Sequence, residues 1–273
     1  MGAEFARHLG VRELQRPEHL GLQIEPPHAN TLGFVHGGVV GSLALAAAEA
    51  AAQVSERGDV GLARPLSLSI RYERALREEN LEARGRVVAR GRDAVHVESE
   101  VFGSNGSRAA SLAAVWWMHR GEEAGVLREG VRARRSPQWY EQGVDVPSLD
   151  FSPYTHGLGA RVTHYASDGA AMSLPLFGNR AADGRLHEGP MLGAIDTCAA
   201  LAAKAVLDPE PFAGGATLSI SMLFARPATT DLRLDARCLS AVGEAFTQDV
   251  EVTTADGEAV AAATVVYRIR RAS

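Results

Sequence analysis

Apolar and polar residues alternate along most of the chain, and in each half one long, almost unbroken apolar stretch interrupts the alternation. Period-two segments predict strands and a continuous apolar run of this length predicts a helix. In the first half the pattern predicts strands near 11–16 and 19–25, a helix at 37–54, and strands near 65–75, 80–91, 94–103 and 108–118. In the second half it predicts strands near 158–166 and 169–176, a helix at 188–206, and strands near 216–226, 231–241, 244–254 and 259–269. Asn105-Gly106 and Asp256-Gly257 lie between alternating segments, where residues that tolerate positive φ make tight hairpins. A helix that is apolar almost all round must be covered on most faces, which one antiparallel sheet wrapped around it achieves.

The two halves are copies. Gly33-Phe-Val-His36-Gly37-Gly38 opens the first apolar run and Gly184-Arg-Leu-His187-Glu188-Gly189 the second, with 187 − 36 = 151. Leu66-Ser-Leu-Ser-Ile70 matches Leu218-Ser-Ile-Ser-Met222 at an offset of 152, and the two turn dipeptides return to 151. A fixed offset with matching elements marks an internal repeat. The expected organisation is a first repeat at 1–120, a linker at 121–156 and a second repeat at 157–273. The linker is rich in Arg, Pro and Gly, and Trp139 and Tyr140 give it something to pack.

Composition narrows the function. The formal net charge of −5 argues against a nucleic-acid partner, and a run such as Arg132, Arg134 and Arg135 reads as solvated surface. Cys198 and Cys238 show neither a CxxC pair nor a zinc-ligand spacing, so no metal is expected and reduced thiols in a cytoplasmic protein are. The first ten residues carry Glu4, Arg7 and His8 where a signal peptide has an apolar core, and Glu49 interrupts the apolar run 39–54, short of a membrane span.

The stretch Asn30-Thr-Leu-Gly33-Phe-Val-His36-Gly37-Gly38, read with the acidic position nine residues past the histidine, resembles the hotdog thioesterases of the phenylacetate-degradation (PaaI-like) and 4-hydroxybenzoyl-CoA types. The resemblance covers both halves outside the linker. It implies an α+β double hotdog: two repeats, each an antiparallel sheet around a long central helix, arranged as a pseudo-dimer. In that family the site lies between two subunits, one giving the Asn and the helix N-terminus with its Gly, the other an acid and a hydroxyl. The first repeat keeps Asn30, His36 and Gly37 but has Leu45 and Pro65 at the acid and hydroxyl positions. The second keeps Asp196 and Thr217 but has Ala181 and Glu188 where the Asn and Gly would stand. The losses are complementary, so one composite site of Asn30, His36, Gly37, Asp196 and Thr217 is expected to work and its mate to be dead. Glu49, one turn beyond Leu45, is the residue that could rescue the mate.

The implied activity is hydrolysis of an acyl-CoA thioester to free acid and CoA, with no cofactor. A helix N-terminus offers free N–H groups and a positive dipole end to an oxyanion. Glycine lets the carbonyl approach, which assigns Gly37 to catalysis and Gly38 to substrate contact. Asp196, in an apolar wall, would attack the carbonyl or activate water, with Thr217 holding it, Asn30 orienting water and His36 beside the sulfur. Arg64, Arg74, Arg180, Arg185 and Arg226 are the candidate contacts for CoA phosphates, and family habit implies a homodimer of such chains. Two rivals remain. A hotdog dehydratase or hydratase would need a His about 14 residues before the acid, where Ala182 stands. A non-catalytic acyl-CoA sensor would have no need of one complete residue set.

Overall fold

The computed structural model describes residues 5, 9–54, 62–77, 80–118, 152–207 and 212–271. Its first half runs β1 (Arg12–Glu13), β2 (His19–Leu22), α1 (Gly37–Val54), β3 (Leu62–Tyr72), β4 (Leu81–Arg90), β5 (Ala94–Phe102) and β6 (Arg108–Met118). A short helix α2 (Pro153–Gly157) follows, and then β7 (Arg161–Ala166), β8 (Gly169–Leu174), α3 (Glu188–Ala205), β9 (Phe212–Phe224), β10 (Leu232–Val242), β11 (Ala245–Thr254) and β12 (Ala259–Arg271). The predicted helices and strands all appear. The boundaries differ most at β9, which starts four residues before the expected 216 and ends two before 226, and at β3, which starts and ends three residues before the expected 65–75. The expected linker contributes α2 to the described residues, while Trp139 and Tyr140 lie outside them.

Among the described residues twelve strands join one antiparallel sheet in the order β1-β2-β4-β5-β6-β3-β9-β12-β11-β10-β8-β7. The repeats meet where β3 pairs β9, from Ser67↔Leu223 to Arg71↔Ser219. At the middle of that ladder Ser69 pairs Ser221, its own counterpart (221 − 69 = 152), and their hydroxyl oxygens lie 3.2 Å apart. A residue facing its own repeat copy marks a pseudo-twofold axis, so the fused chain reproduces a symmetric dimer.

The sheet curls around α1 and α3, as the alternation along each strand requires. On β5, Val95, Val97, Ser99 and Val101 turn inward and are buried, and on β11 Phe246, Val250 and Val252 do the same. Both helices are rich in alanine, the best helix former, whose small side chain lets strands and a second helix come close. Each helix starts after an equivalent turn with a positive-φ glycine, Gly33 at φ 72° and Gly184 at φ 84°.

The helices touch each other through backbone. A Cβ built on Gly38 would lie 2.5 Å from the Gly193 Cα, and one on Gly41 2.6 Å from Leu192 Cδ2. On the other flank of α1, a Cβ on Gly85 of β4 would sit 2.0 Å from the Ala47 carbonyl oxygen. Gly85→Ala is therefore expected to push α1 off the sheet and cost about 1–3 kcal/mol or more, read as a lower urea midpoint at unchanged slope.

Candidate active site

The helix contact determines what meets what. Gly193 lies against Gly38, and Asp196, one turn further along α3, arrives beside Gly37 at the start of α1. Asp196 is 5% exposed; its Oδ2 would lie 2.7 Å from a Cβ built on Gly37 and is 3.5 Å from His36 Nδ1. The Thr217 hydroxyl, on the inward side of β9, donates to Asp196 Oδ1. The Tyr72 hydroxyl donates to the Gly37 carbonyl oxygen at 3.1 Å. Burial and the nearby Asp196 push the Tyr72 phenol well above its ordinary range and push Tyr267 upward too, so both stay neutral donors.

These groups open on a cleft of about 460 Å³, whose walls include Asn30, His36, Gly37, Asp196 and Thr217. The five residues expected to form the composite site therefore share one cavity. Asn30 spends its side-chain oxygen on its own loop, accepting from the Leu32 N–H at 2.9 Å and the Phe34 N–H at 3.0 Å. Asn30 thus shapes the chain that leads into His36.

Gly38 differs from the expectation that it touches substrate. Its N–H donates to His36 Nδ1 at 2.9 Å and its Cα is pressed against Gly193 and Tyr154, so it is spent on capping and helix contact. His187 caps α3 in the same way, accepting from the Gly189 N–H at 2.9 Å. The histidine in both repeats is thus first of all a helix cap. Burial holds the His36 pKa below its ordinary 6.5, against the pull of Asp196 upward.

The pseudo-symmetric mate is a smaller cleft of about 230 Å³, lined by Leu45, Glu49, Pro65, Trp116, Ala181, His187, Glu188 and Met191 among others. Trp116 and Met191 stand where Tyr267 and Val40 stand in the first cleft (267 − 116 = 151; 191 − 40 = 151). At the start of α3, Glu188 stands where Gly37 stands at the start of α1 (188 − 37 = 151). Glu49 lines this cleft, its Oε1 accepting from Gln53 Nε2 at 3.2 Å, and burial raises its pKa.

Of the arginines proposed for phosphate, only Arg74 lines the larger cleft. Arg185 and Arg226 line the mate, paired with Asp183 and Glu258, and Arg180 is exposed on the loop before α3. The side chain of Arg64 lies outside the described residues. Cations that sequence reading missed border the cleft instead: Lys204, Arg268 and Arg270. Lys204 was findable, since positions 196, 200 and 204 share one face of a helix. Among the described residues no cluster of His, Cys, Asp and Glu could hold a metal ion, and no helix is long and apolar enough to cross a membrane.

The fold is a double hotdog. A protein with a hot dog fold from Alicyclobacillus acidocaldarius superposes at a TM-score of 0.72 with 17% identity, over 100% of both chains. The tesB protein of Mycobacterium avium subs paratuberculosis gives 0.72 with 13% identity over 96% of each chain. Acyl-CoA thioesterase II TesB2 from Mycobacterium marinum gives 0.67 with 15% identity over 98% of each. In sequence, residues 25–119 match the family model of the acyl-CoA thioesterase N-terminal domain. A search of curated proteins finds no match.

The depressed pKa of His36 has a measurable consequence. The unfolded chain takes up a proton as pH falls through 6.5, whereas the buried ring resists it. Stability from this residue is therefore complete above 6.5 and declines below it, by about 1.4 kcal/mol per unit of depression. Thermal melts between about pH 7 and about pH 5 should show the wild type losing stability relative to His36→Asn, which keeps a capping side chain.

Proposed function

We propose that the protein is an acyl-CoA thioesterase that hydrolyses its substrate in the larger cleft, with Asp196 as the reacting carboxylate and the start of α1 as the oxyanion site. The observation that carries this reading is the meeting of the Asp196 carboxylate with Gly37 in one of the two symmetric clefts and not in the other. The family match of residues 25–119 supports the substrate class.

The chemistry follows from the contacts. With no side chain on Gly37, a thioester carbonyl can enter the space beside the first turn of α1, where the Gly37 N–H and the positive end of the helix dipole stabilise the charge that develops on its oxygen. Asp196 Oδ2 faces that space, while Oδ1 is held by Thr217. In one route the carboxylate takes a proton from a water that adds to the carbonyl carbon, the C–S bond breaks and that proton passes to the sulfur, so that CoA leaves as the thiol. In the other the carboxylate itself adds and expels the CoA thiolate, and water then cleaves the mixed anhydride to the free acid, regenerating the carboxylate and giving its proton to the thiolate. Lys204, Arg268, Arg270 and Arg74 give the cleft a cationic border suited to the phosphates of CoA. In the mate cleft Leu45 supplies no base and Glu188 repels the oxyanion, so we assign turnover to one site per chain. Two free cysteines, one of them buried, suit a cytoplasmic setting.

With a thiol reagent and a panel of acyl-CoA substrates, Asp196→Asn should lower kcat by about 10²–10⁴-fold while acyl-CoA still binds. Full turnover in that variant would remove Asp196 as the reacting group, and a wild type that binds acyl-CoA without releasing thiol would be a binding protein. Glu49→Gln should keep wild-type turnover, whereas a loss of half the activity would place a second working site in the smaller cleft. Gly37→Ala, whose methyl would collide with Asp196 Oδ2, should abolish hydrolysis while leaving the fold intact by circular dichroism.

A further inference from the structure

His36 is held by more than its helix. Its Nδ1 accepts the Gly38 N–H, so that nitrogen carries no proton. On the other side of the ring, Nε2 lies 3.2 Å from Thr197 Oγ1 and 3.4 Å from Thr155 Oγ1, and these two hydroxyls are 3.0 Å apart. Thr197 donates its one hydroxyl proton to the Gly193 carbonyl at 3.1 Å, so toward His36 its oxygen can only accept. Two independent contacts therefore demand the same neutral tautomer, with the proton on Nε2.

That tautomer changes the meaning of the 3.5 Å approach between His36 Nδ1 and Asp196 Oδ2. A ring with a bare Nδ1 presents a lone pair to the carboxylate and can give it neither a proton nor a hydrogen bond. Asp196 Oδ2 is thereby kept available to the cleft. Were the ring to switch tautomer, an Nδ1–H would face Oδ2 and engage it, and the Gly38 N–H would lose its acceptor.

The second repeat serves as an internal control. His187 caps α3 through Nδ1 just as His36 caps α1, but the position matching Thr197 is Ala46 (197 − 46 = 151). Ring packing is common to both, Tyr154 lying 4.9 Å from His36 and Phe5 5.3 Å from His187 between centroids. The hydroxyl on the central helix is thus found beside the histidine whose cleft holds the acid, and an alanine beside the one whose cleft does not.

We propose that Thr197, with Thr155 from the segment joining the repeats, is a positioning residue that locks His36 in the Nε2–H tautomer and so keeps the Asp196 carboxylate free for the thioester. The lock stands on hydrogen-bond geometry; its kinetic consequence rests on the hydrolase reading. The titratable groups that face the ring and its capped turn are Asp196 on α3, Tyr154 on α2 and Tyr72 on β3.

The test uses the full chain with ¹⁵N-labelled histidine, the His36 signals being assigned from the spectrum of His36→Asn. Wild-type His36 should give the pattern of a single Nε2–H tautomer. In Thr197→Val, which removes the acceptor at nearly equal volume, the ring should show averaged or exchanging tautomers. On the best-cleaved acyl-CoA of the panel, kcat should fall about ten- to hundredfold with KM little changed. Thr197→Ser should restore both the spectrum and the rate. Thr155→Val, which leaves α3 untouched, should shift the ring in the same direction and guards against a folding defect at Thr197. A His36 spectrum that is unchanged in both valine variants, or a serine variant as impaired as valine, overturns the lock. Absence of hydrolysis on every acyl-CoA overturns the hydrolase reading instead, and the spectra still decide the lock.

Discussion

The contact between Gly38 and Gly193 governs the molecule. Where two helix backbones come within touching distance, no side chain can intervene, and the sliding register between the helices is set to within a turn. One turn from Gly193 is Asp196 and one residue before Gly38 is Gly37, so the same approach that seals the core brings an acid to a helix N-terminus. A methyl group on Gly38 would meet the Gly193 Cα and force the helices apart, and one on Gly193 would collide with the Tyr154 ring packed over the same contact. Packing and chemistry are here one constraint.

The mate contact is looser in kind. Gly189 occupies the Gly38 position, but Ser42 takes the place of Gly193, and a Cβ on Gly189 would lie 2.9 Å from Ser42 Oγ. The Ser42 hydroxyl is satisfied within its own helix, donating to the Gly38 carbonyl at 2.6 Å. Fusion of the repeats permits this divergence. In a true homodimer every substitution appears twice, so the acid cannot be lost from one site and the glycine from the other. In one chain each repeat is free to specialise, and the pseudo-twofold at Ser69 and Ser221 survives because a β ladder depends mainly on backbone.

A histidine that is present in both repeats but differently supported illustrates how a shared part acquires a particular use. Capping a helix needs only Nδ1. The opposite nitrogen is then free to be fixed or not by whatever faces it, and at His36 it meets Thr197 and Thr155. The segment joining the repeats thereby has work to do beyond connection: α2 places Tyr154 against Gly38 and Gly193 and Thr155 against the ring.

Element type, repeat organisation and the pairing of Asn30, His36 and Gly37 with Asp196 and Thr217 were legible in the chain, because alternation, apolar runs and a constant offset are properties of neighbouring residues. Substitutions such as Leu45 for an acid and Glu188 for a glycine could be seen because the other repeat supplied the comparison. Other features left no local trace: the inward turn of Gly38 away from the cleft, the supporting roles of Thr197, Thr155 and Tyr154, and the cationic border of Lys204, Arg268 and Arg270. Each depends on which distant backbone comes closest, and that distance is decided only when two helices and a sheet are packed together. The sequence by itself thus determined which elements form and which residues complement one another. The tertiary structure alone decided which hydrogen bonds those residues have left to offer, since a donor already spent on a neighbour is unavailable to a substrate.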